Sequence, residues 1–184
     1  MDEKIFNKGY KYKPIKTKRL LLVKPDIKYK EELYNLYINK KIWVYNGGSN
    51  NNYSPNSVLL EIKKKRKLWL QKKMVSFFII YKNKFVGTIS LNNISPDFKN
   101  AQVGFILLPD YWGKGLMSEA LSEFMKFIFK NTNLFRISAF VCAKNKPSIK
   151  VLEKNEFKKE GLLKKSAIYN GKVYDNYLYA LLKK

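Results

Sequence analysis

Two glycines separated by one residue mark the segment best suited to chemistry. Gly113 and Gly115 flank Lys114, after a predicted strand over 101–108 and at the start of a predicted helix over 115–130. Glycine lets the backbone approach a bulky group, and the first amides of a helix are unpaired donors at its positive end. The spacing predicts a phosphate-binding turn to which Lys114 adds positive charge. The alternative is that both glycines serve only tight strand–helix packing.

The turn matches neither of the two common nucleotide-binding motifs. Gly115 is not followed by the Lys-Ser/Thr pair of a Walker A loop, and the third glycine of the dinucleotide fingerprint is missing, with Ser118-Glu119 near its place. The turn also comes late in the chain, after a predicted antiparallel meander. By itself it therefore does not identify the phosphate.

Composition excludes several kinds of catalytic site. The 184 residues include no histidine, so histidine triads, histidine bases and metal sites that need imidazole are excluded, and we expect no metal. Chemistry must then use Asp, Glu, Tyr, Ser, Lys, Cys, backbone groups and water.

The formal net charge of +23 has two interpretations. A field of this size attracts RNA, ribosomes or acidic protein surfaces. However, only Arg19, Arg66 and Arg136 among the 37 basic residues are arginine, whereas nucleic-acid sites usually recruit arginine for bidentate contacts. A composition rich in lysine and asparagine and poor in arginine is typical of an AT-rich genome. We therefore favour genomic bias, and not a nucleic-acid site, as the source of the charge.

Cysteine content and hydropathy indicate the compartment and domain organisation. The single cysteine, Cys142, cannot form an internal disulfide, which favours a reducing compartment. No apolar run is long enough for a transmembrane helix, and the first residues lack the layout of a secretory signal. We expect a cytoplasmic protein without membrane association, with a basic, loosely held arm over 1–16 and one domain over 17–184.

Hydrophobic patterning predicts an α+β fold with a strand–helix–strand unit in its middle. The predicted helices span 28–39, 56–73, 115–130 and 148–154. The predicted strands span 19–23, 75–81, 85–91, 101–108, 135–141, 162–169 and 173–182. The last two flank Asn170-Gly171, a strong hairpin signal because both turn positions favour positive φ.

Two segments carry a resemblance to a known family. Tyr111-Trp112-Gly113-Lys114-Gly115, preceded by Ala-Gln-Val-Gly-Phe, resembles motif A of the GNAT superfamily of acetyl-CoA-dependent N-acyltransferases, and specifically its RimJ/RimL branch, which acetylates protein N-termini. Residues 145–161 are similar to that branch's Asn-x-x-Ser-x-x-Val-Leu-Glu-Lys-x-Gly-Phe-x-x-Glu-Gly segment, with Glu156 in place of the glycine. Together with a weaker match at Thr17-Lys18-Arg19 and the closing hairpin, the resemblance covers about 17–182.

The resemblance implies a GNAT fold: a mixed, mostly antiparallel seven-stranded sheet with about four helices. Its central strands, 101–108 and 135–141, would splay apart to hold acetyl-CoA. Pantetheine would pair with the backbone near Phe105, Ile106 and Leu107. The pyrophosphate would bind the amides of Trp112, Gly113, Lys114, Gly115, Leu116, Met117 and Ser118, although Trp112 and Met117 depart from the superfamily's usual residues.

The resemblance also suggests catalytic residues. Ser148 would protonate the leaving thiolate, and Asn145 would order the loop or the cofactor; the alternative is that both are ordinary residues of a helix N-terminus. The general base stays unassigned, because Ala167 stands where relatives carry a glutamate. Glu119, Tyr174 and Asp175 remain as candidates that could act through water.

The acceptor is the least determined part of the reaction. We expect a protein N-terminal α-amine, with a ribosomal protein as one candidate. The alternatives are a small amine such as an amino sugar, or a non-catalytic GNAT module that binds RNA or a partner. The scarcity of carboxylates argues against a polyamine. Candidate residues for the acceptor wall are Trp43, Tyr45, Tyr53 and Trp69, which core packing would also explain.

Overall fold

A mixed sheet of eight strands runs through the described residues, which in this computed structural model are 6–7, 13–45, 53–71, 73–169 and 171–184. The strands lie in the order β1-β2-β3-β4-β5-β6-β8-β7. Neighbouring strands are antiparallel except for β5 and β6, which are parallel. The α-helices are α1 Lys30–Ile38, α2 Pro55–Leu70, α3 Leu116–Asn131 and α4 Lys146–Lys154. The strands are β1 Ile15–Lys16, β2 Leu20–Val23, β3 Val75–Tyr81, β4 Lys84–Ser95, β5 Asn100–Leu107, β6 Arg136–Cys142, β7 Lys158–Tyr169 and β8 Lys172–Leu182.

Two hydrophobic clusters pack on opposite faces of this sheet. Alternate residues of β3 belong to different clusters: Phe77 and Ile79 to one, Phe78 and Ile80 to the other. This is the period-2 alternation of a strand buried on both faces. The first cluster includes the buried stripes of α3 and α4 and Trp69 of α2, and the second includes that of α1 with Val58 and Ile62 of α2. None of the described helices is long and apolar enough to span a membrane.

The predicted fold class is confirmed, and the described sheet has one strand more than the seven expected. The additional strand, Ile15–Lys16, pairs with Leu21 and Leu22 of β2. It lies in the predicted N-terminal arm, as does Phe6, which is 4% exposed and forms a bridge with Thr132. Phe6 is fixed because its apolar side chain packs in the first hydrophobic cluster, and Ile15–Lys16 is fixed by its pairing with β2.

Capping residues explain where two helices differ from the predicted bounds. Helix α2 begins at Pro55, because the Ser54 hydroxyl accepts a hydrogen bond from the Ser57 amide. Helix α4 begins at Lys146 rather than at Ser148, because Asn145 is its N-cap. Proline is tolerated in a first turn, where its missing N–H would have no helical acceptor. At the end of α4, Glu156 adopts φ 64°, the left-handed geometry for which the branch's glycine is suited.

The parallel pair β5–β6 stays together over only three residues. Asn100, Ala101 and Gln102 pair with residues 136–138, and no pairing between the two strands continues beyond Gln102 within the described ladder. From Val103 onward, the edge of β5 that faces β6 therefore has no strand partner, while its other edge stays bonded to β4. The fork between the two strands is the expected splay.

Candidate active site

The fork between β5 and β6 opens into a cavity of about 250 Å³. Four of the predicted site residues, Phe105, Ile106, Asn145 and Ser148, line it together. The remaining lining consists of Tyr37, Trp43, Tyr45, Lys65, Thr88, Ser90, Asn92, Val103, Gly104, Ala139, Phe140, Val141, Cys142 and Leu152. The tertiary structure thus joins two segments that lie about forty residues apart in sequence. It also contributes a third wall from α1, α2 and the segment after α1.

The glycine turn has the geometry of an anion-binding helix start. Gly113 and Gly115 have φ values of 72° and 71°, and Gly115 is the N-cap of α3 without a side-chain capping bond. The Glu119 amide makes the first helical hydrogen bond, to the Gly115 carbonyl. The three preceding helical amides, of residues 116–118, therefore have no acceptor inside the helix and lie at its positive end. Such an end can bind a phosphate through backbone groups alone.

Several side chains of the predicted pyrophosphate site are already engaged in the protein. Leu116 and Met117 are buried, so only their amides can face a ligand. Lys114 Nζ donates to the Asp110 carbonyl at 2.8 Å, and the Trp112 indole N–H donates to the Leu107 carbonyl at 2.6 Å. The hydrogen bond from the indole to the Leu107 carbonyl holds the glycine turn against the end of β5.

A brace from the start of β2 holds the turn, and sequence reasoning missed it. Glu119 Oε1 accepts from the Thr17 hydroxyl at 2.5 Å and the Arg19 amide at 2.7 Å, while Oε2 accepts from Arg19 Nε at 2.6 Å. The Arg19 guanidinium also donates to the Lys114 carbonyl at 3.0 Å, inside the turn. The segment Thr17-Lys18-Arg19 was noted in the sequence as a weaker match to the family, but its contacts with the turn were not expected. Because both carboxylate oxygens are engaged, Glu119 is no longer a good candidate for the base.

The brace gives a pH-dependent contribution to stability. Burial alone would raise the pKa of Glu119, but the hydrogen bonds from Thr17 and Arg19 outweigh burial and lower it. A lowered carboxyl pKa stabilises the fold above the unfolded value, and this stabilisation is lost as pH falls through the folded value. We expect Glu119→Gln to lower the free energy of unfolding by about 1–2 kcal/mol at pH 7. Denaturant unfolding should show this deficit shrinking below about pH 4, and a pH-independent deficit would contradict the prediction.

Asn145 and Ser148 meet at the first turn of α4. The Asn145 side-chain oxygen accepts from the Ser148 amide at 3.3 Å, which makes Asn145 a helix cap as well as a cavity residue. The Ser148 hydroxyl is half-buried and makes no hydrogen bond to another described residue. It is therefore free to donate to a group in the cavity, as an acid must be.

The aromatic wall differs in part from the expected set. Tyr37, Trp43 and Tyr45 line the cavity, and Tyr53 packs on Tyr37 with ring centroids 4.6 Å apart. Trp69 instead packs on Phe77 in the core, at 4.8 Å. Tyr37, on α1, was not among the residues expected in this wall. The loop between Tyr45 and Tyr53 lies outside the described residues.

Neither of the other candidate bases is placed in the cavity. Asp175 accepts from the Lys165 amide at 2.7 Å within the final hairpin, and Tyr174 packs on Tyr169 and Tyr45 at 5.4 and 6.1 Å. No carboxylate belongs to the cavity lining in the part of the chain that the structure describes. The arrangement therefore provides a phosphate-binding turn, an open strand edge and a free hydroxyl, without a carboxylate base.

The chain has two parallel strands that fork, β5 and β6, connected by the glycine turn and helix α3, which is the arrangement of an acetyltransferase fold. Residues 19–158 match the family described as "Acetyltransferase (GNAT) domain", and the chain belongs to this family. The predictions of a GNAT N-acetyltransferase related to the RimJ/RimL branch, with acetyl-CoA as donor, are thereby confirmed at the level of the family.

The similar proteins include enzymes that act on ribosomal proteins. An uncharacterised N-acetyltransferase, p20 of Bacillus licheniformis, is 39% identical over 110 residues, 59% of this chain and 62% of that one. The ribosomal-protein-serine acetyltransferase of Escherichia coli is 32% identical over 60% of this chain and 62% of that one. The crystal structure of the ribosomal-protein-S5-alanine acetyltransferase of Vibrio fischeri is similar with a TM-score of 0.86 at 25% identity, covering 93% of this chain and 97% of that one. The aligned segments of the two curated relatives span less than two thirds of their lengths.

Proposed function

We propose that this chain transfers the acetyl group of acetyl-CoA to the α-amine of a protein N-terminus in the cytoplasm. The observation that carries the proposal is the separation of β5 from β6 after Gln102, which opens one cavity onto an unpaired strand edge and the Ser148 hydroxyl. The similar proteins from Escherichia coli and Vibrio fischeri are ribosomal-protein acetyltransferases, which supports the acceptor class.

In this proposal the donor binds mostly through backbone groups. The amides of residues 113–118, which include the free amides of the first turn of α3, bind the pyrophosphate. The Trp112 amide, also expected there, already donates to the Pro109 carbonyl at 3.0 Å. Pantetheine pairs with the open edge of β5 near Phe105, Ile106 and Leu107, in the place of a missing strand. The brace through Arg19 keeps the turn in position, because its guanidinium is bonded to the Lys114 carbonyl.

The reaction requires a polarised carbonyl and a proton for the leaving group. An amide of β5, from Ile106 or Leu107, donates to the thioester oxygen while the amine nitrogen attacks the carbonyl carbon. The new C–N bond forms, the C–S bond breaks, and Ser148 donates its proton to the thiolate, while the proton that the attacking nitrogen releases returns to Ser148 through water. Asn145 keeps Ser148 in place through the cap of α4.

The acceptor can lose its proton to water. An α-amine has a pKa near 8, so roughly a tenth is neutral at pH 7. This neutral fraction is sufficient for attack, so a carboxylate base is not required. The described cavity lining includes no carboxylate. We therefore propose that the enzyme works without a dedicated base.

Replacing Ser148 tests the acid. We expect Ser148→Ala to lower kcat by roughly 100–10,000-fold, the usual range for general acid catalysis, while the KM for acetyl-CoA changes little. Steady-state kinetics with each substrate varied in turn would measure both. Lys150→Ala, at an exposed position on the same helix, is the matched control. Equal kcat values for the Ser148 variant and the control would remove Ser148 from the mechanism.

A panel of acceptors tests the function itself. The purified chain would be incubated with acetyl-CoA and, separately, N-terminal peptides, amino sugars and a polyamine, with thiol release and mass spectrometry as readouts. The proposal expects acetylation at the peptide α-amine. Acetylation of amino sugars alone would favour the small-molecule alternative. No turnover and no thermal stabilisation by acetyl-CoA would favour a non-catalytic module, whose RNA binding should be steeply salt-dependent.

A further inference from the structure

Lys65 is the one charged side chain among the described residues that line the cavity. It extends from α2, and its side chain is only 17% exposed. Its Nζ lies 2.5 Å from Glu61 Oε1 and donates to the Tyr37 hydroxyl at 3.2 Å. An ammonium group has three N–H donors, so one donor remains for a molecule in the cavity.

The partners of Lys65 hold it in place without adding a carboxylate to the described cavity lining. Glu61 accepts from the Tyr37 hydroxyl at 2.8 Å and lies outside the cavity lining. Burial first, and then the charge of Glu61, raise the pKa of Tyr37 well above its usual value, so this phenol remains a neutral donor. The carboxylate that pairs with Lys65 is thus not part of the described cavity lining.

The rest of this wall is neutral. Thr88, Ser90 and Asn92 of β4 contribute hydroxyl and amide groups, and Tyr37, Trp43 and Tyr45 contribute rings. A cationic acceptor would therefore meet Lys65 with no described carboxylate in the lining to offset the repulsion.

We infer that Lys65 selects acceptors that carry a carboxylate close to the reacting amine: peptides with Asp or Glu in their first residues. This inference rests on the proposed function. A partly buried ammonium that donates to a carboxylate forms a strong, charge-assisted hydrogen bond. The same positive charge disfavours the protonated amine and so raises the share of the neutral nucleophile. Lys65 is thus a specificity-determining residue, and Glu61 positions it.

Matched peptides that differ at the second residue test the inference. Ala-Glu, Ala-Gln and Ala-Lys peptides of otherwise equal sequence would be compared by kcat/KM at saturating acetyl-CoA. We expect the Glu peptide to exceed the Gln peptide by about tenfold, with the Lys peptide poorest. Lys65→Met should remove the difference, Lys65→Arg should retain most of it, and Lys65→Glu should favour the Lys peptide. Lys64→Met, at an exposed position of the same helix, should leave the order unchanged.

A second pair of acceptors separates this inference from the proposed function. Aspartic acid α-amide and asparagine α-amide carry the same amine and differ in charge. If they are acetylated with the Lys65-dependent preference while no peptide is, the selection of carboxylate-bearing acceptors by Lys65 stands and the proposed N-terminal function fails. Equal acetylation of the Glu, Gln and Lys peptides would overturn the inference. It would also be overturned if the preference stayed unchanged in every Lys65 variant that melts at the same temperature as the wild type. Absence of turnover with all anionic acceptors would overturn it as well.

Discussion

Substituting Gly115 with glutamate is expected to abolish acetyl-CoA binding. The new carboxylate would lie at the start of α3, where the proposed site holds a pyrophosphate, and like charges repel. Gly115 also has φ 71°, which costs a non-glycine residue about 1–2 kcal/mol. Its Cβ would lie 3.7 Å from the Arg19 guanidinium, so the carboxylate would compete with Glu119 for the brace. Losing two charge-assisted phosphate contacts predicts at least a roughly hundredfold lower affinity for acetyl-CoA.

Thermal stabilisation by acetyl-CoA measures this effect, since a ligand raises the melting temperature only if it binds the folded state. Gly171→Glu is the matched control. Gly171 has φ 72° and open space around its Cβ position. The Gly171→Glu substitution therefore introduces the same charge and the same backbone strain, but in the final hairpin. The control should keep its response to acetyl-CoA. A Gly115 variant that is stabilised as strongly as this control would show that the turn does not bind the donor.

The second large effect concerns Gly87, where β4 passes closest to β5. A Cβ at Gly87 would lie 2.2 Å from the Ile106 carbonyl oxygen and 3.0 Å from the Leu107 Cα. Both are backbone atoms, so the strands themselves must move. We expect Gly87→Ala to destabilise the fold by about 2–4 kcal/mol and to lower Tm by roughly 5–15 °C.

Calorimetry and denaturant unfolding would measure the loss, with Gly161→Ala as control because nothing lies within 4 Å of its Cβ position. The control should change Tm by only a few degrees. Since Ile106 lines the cavity, a folded Gly87 variant should also bind acetyl-CoA less tightly below its Tm. An unchanged Tm would mean that β4 and β5 can separate at little cost.

Both predictions concern strand β5, which connects the stability of the sheet to the site. One edge of β5 pairs with β4 along residues 100–107, and its other edge is free from Val103 onward. The Leu107 carbonyl then receives the Trp112 indole N–H. A shift of β5 would therefore move the open edge and the glycine turn together.

How far the sequence predicts this protein can be judged from individual residues. The order of strands and helices was predictable because period-2 and period-3.6 patterns are local. Gly113 and Gly115 were found because a helix N-terminus that binds phosphate requires backbone geometry that few other residues supply. The start of α4 was misjudged because a cap and a catalytic residue have similar sequence signals, and here Asn145 and Ser148 form one turn.

The sequence by itself thus determined the family, the donor and the strand–turn–helix that the donor would use. Only the tertiary structure decided how the remaining residues are employed. It assigned Glu119 to a brace with a residue 100 positions away, buried Trp69 in the core, and brought Tyr37, Glu61 and Lys65 together at the cavity. The physical reason is that these roles depend on contacts between side chains of different elements, which no local periodicity encodes. The acceptor side of the cavity is built almost entirely from such contacts.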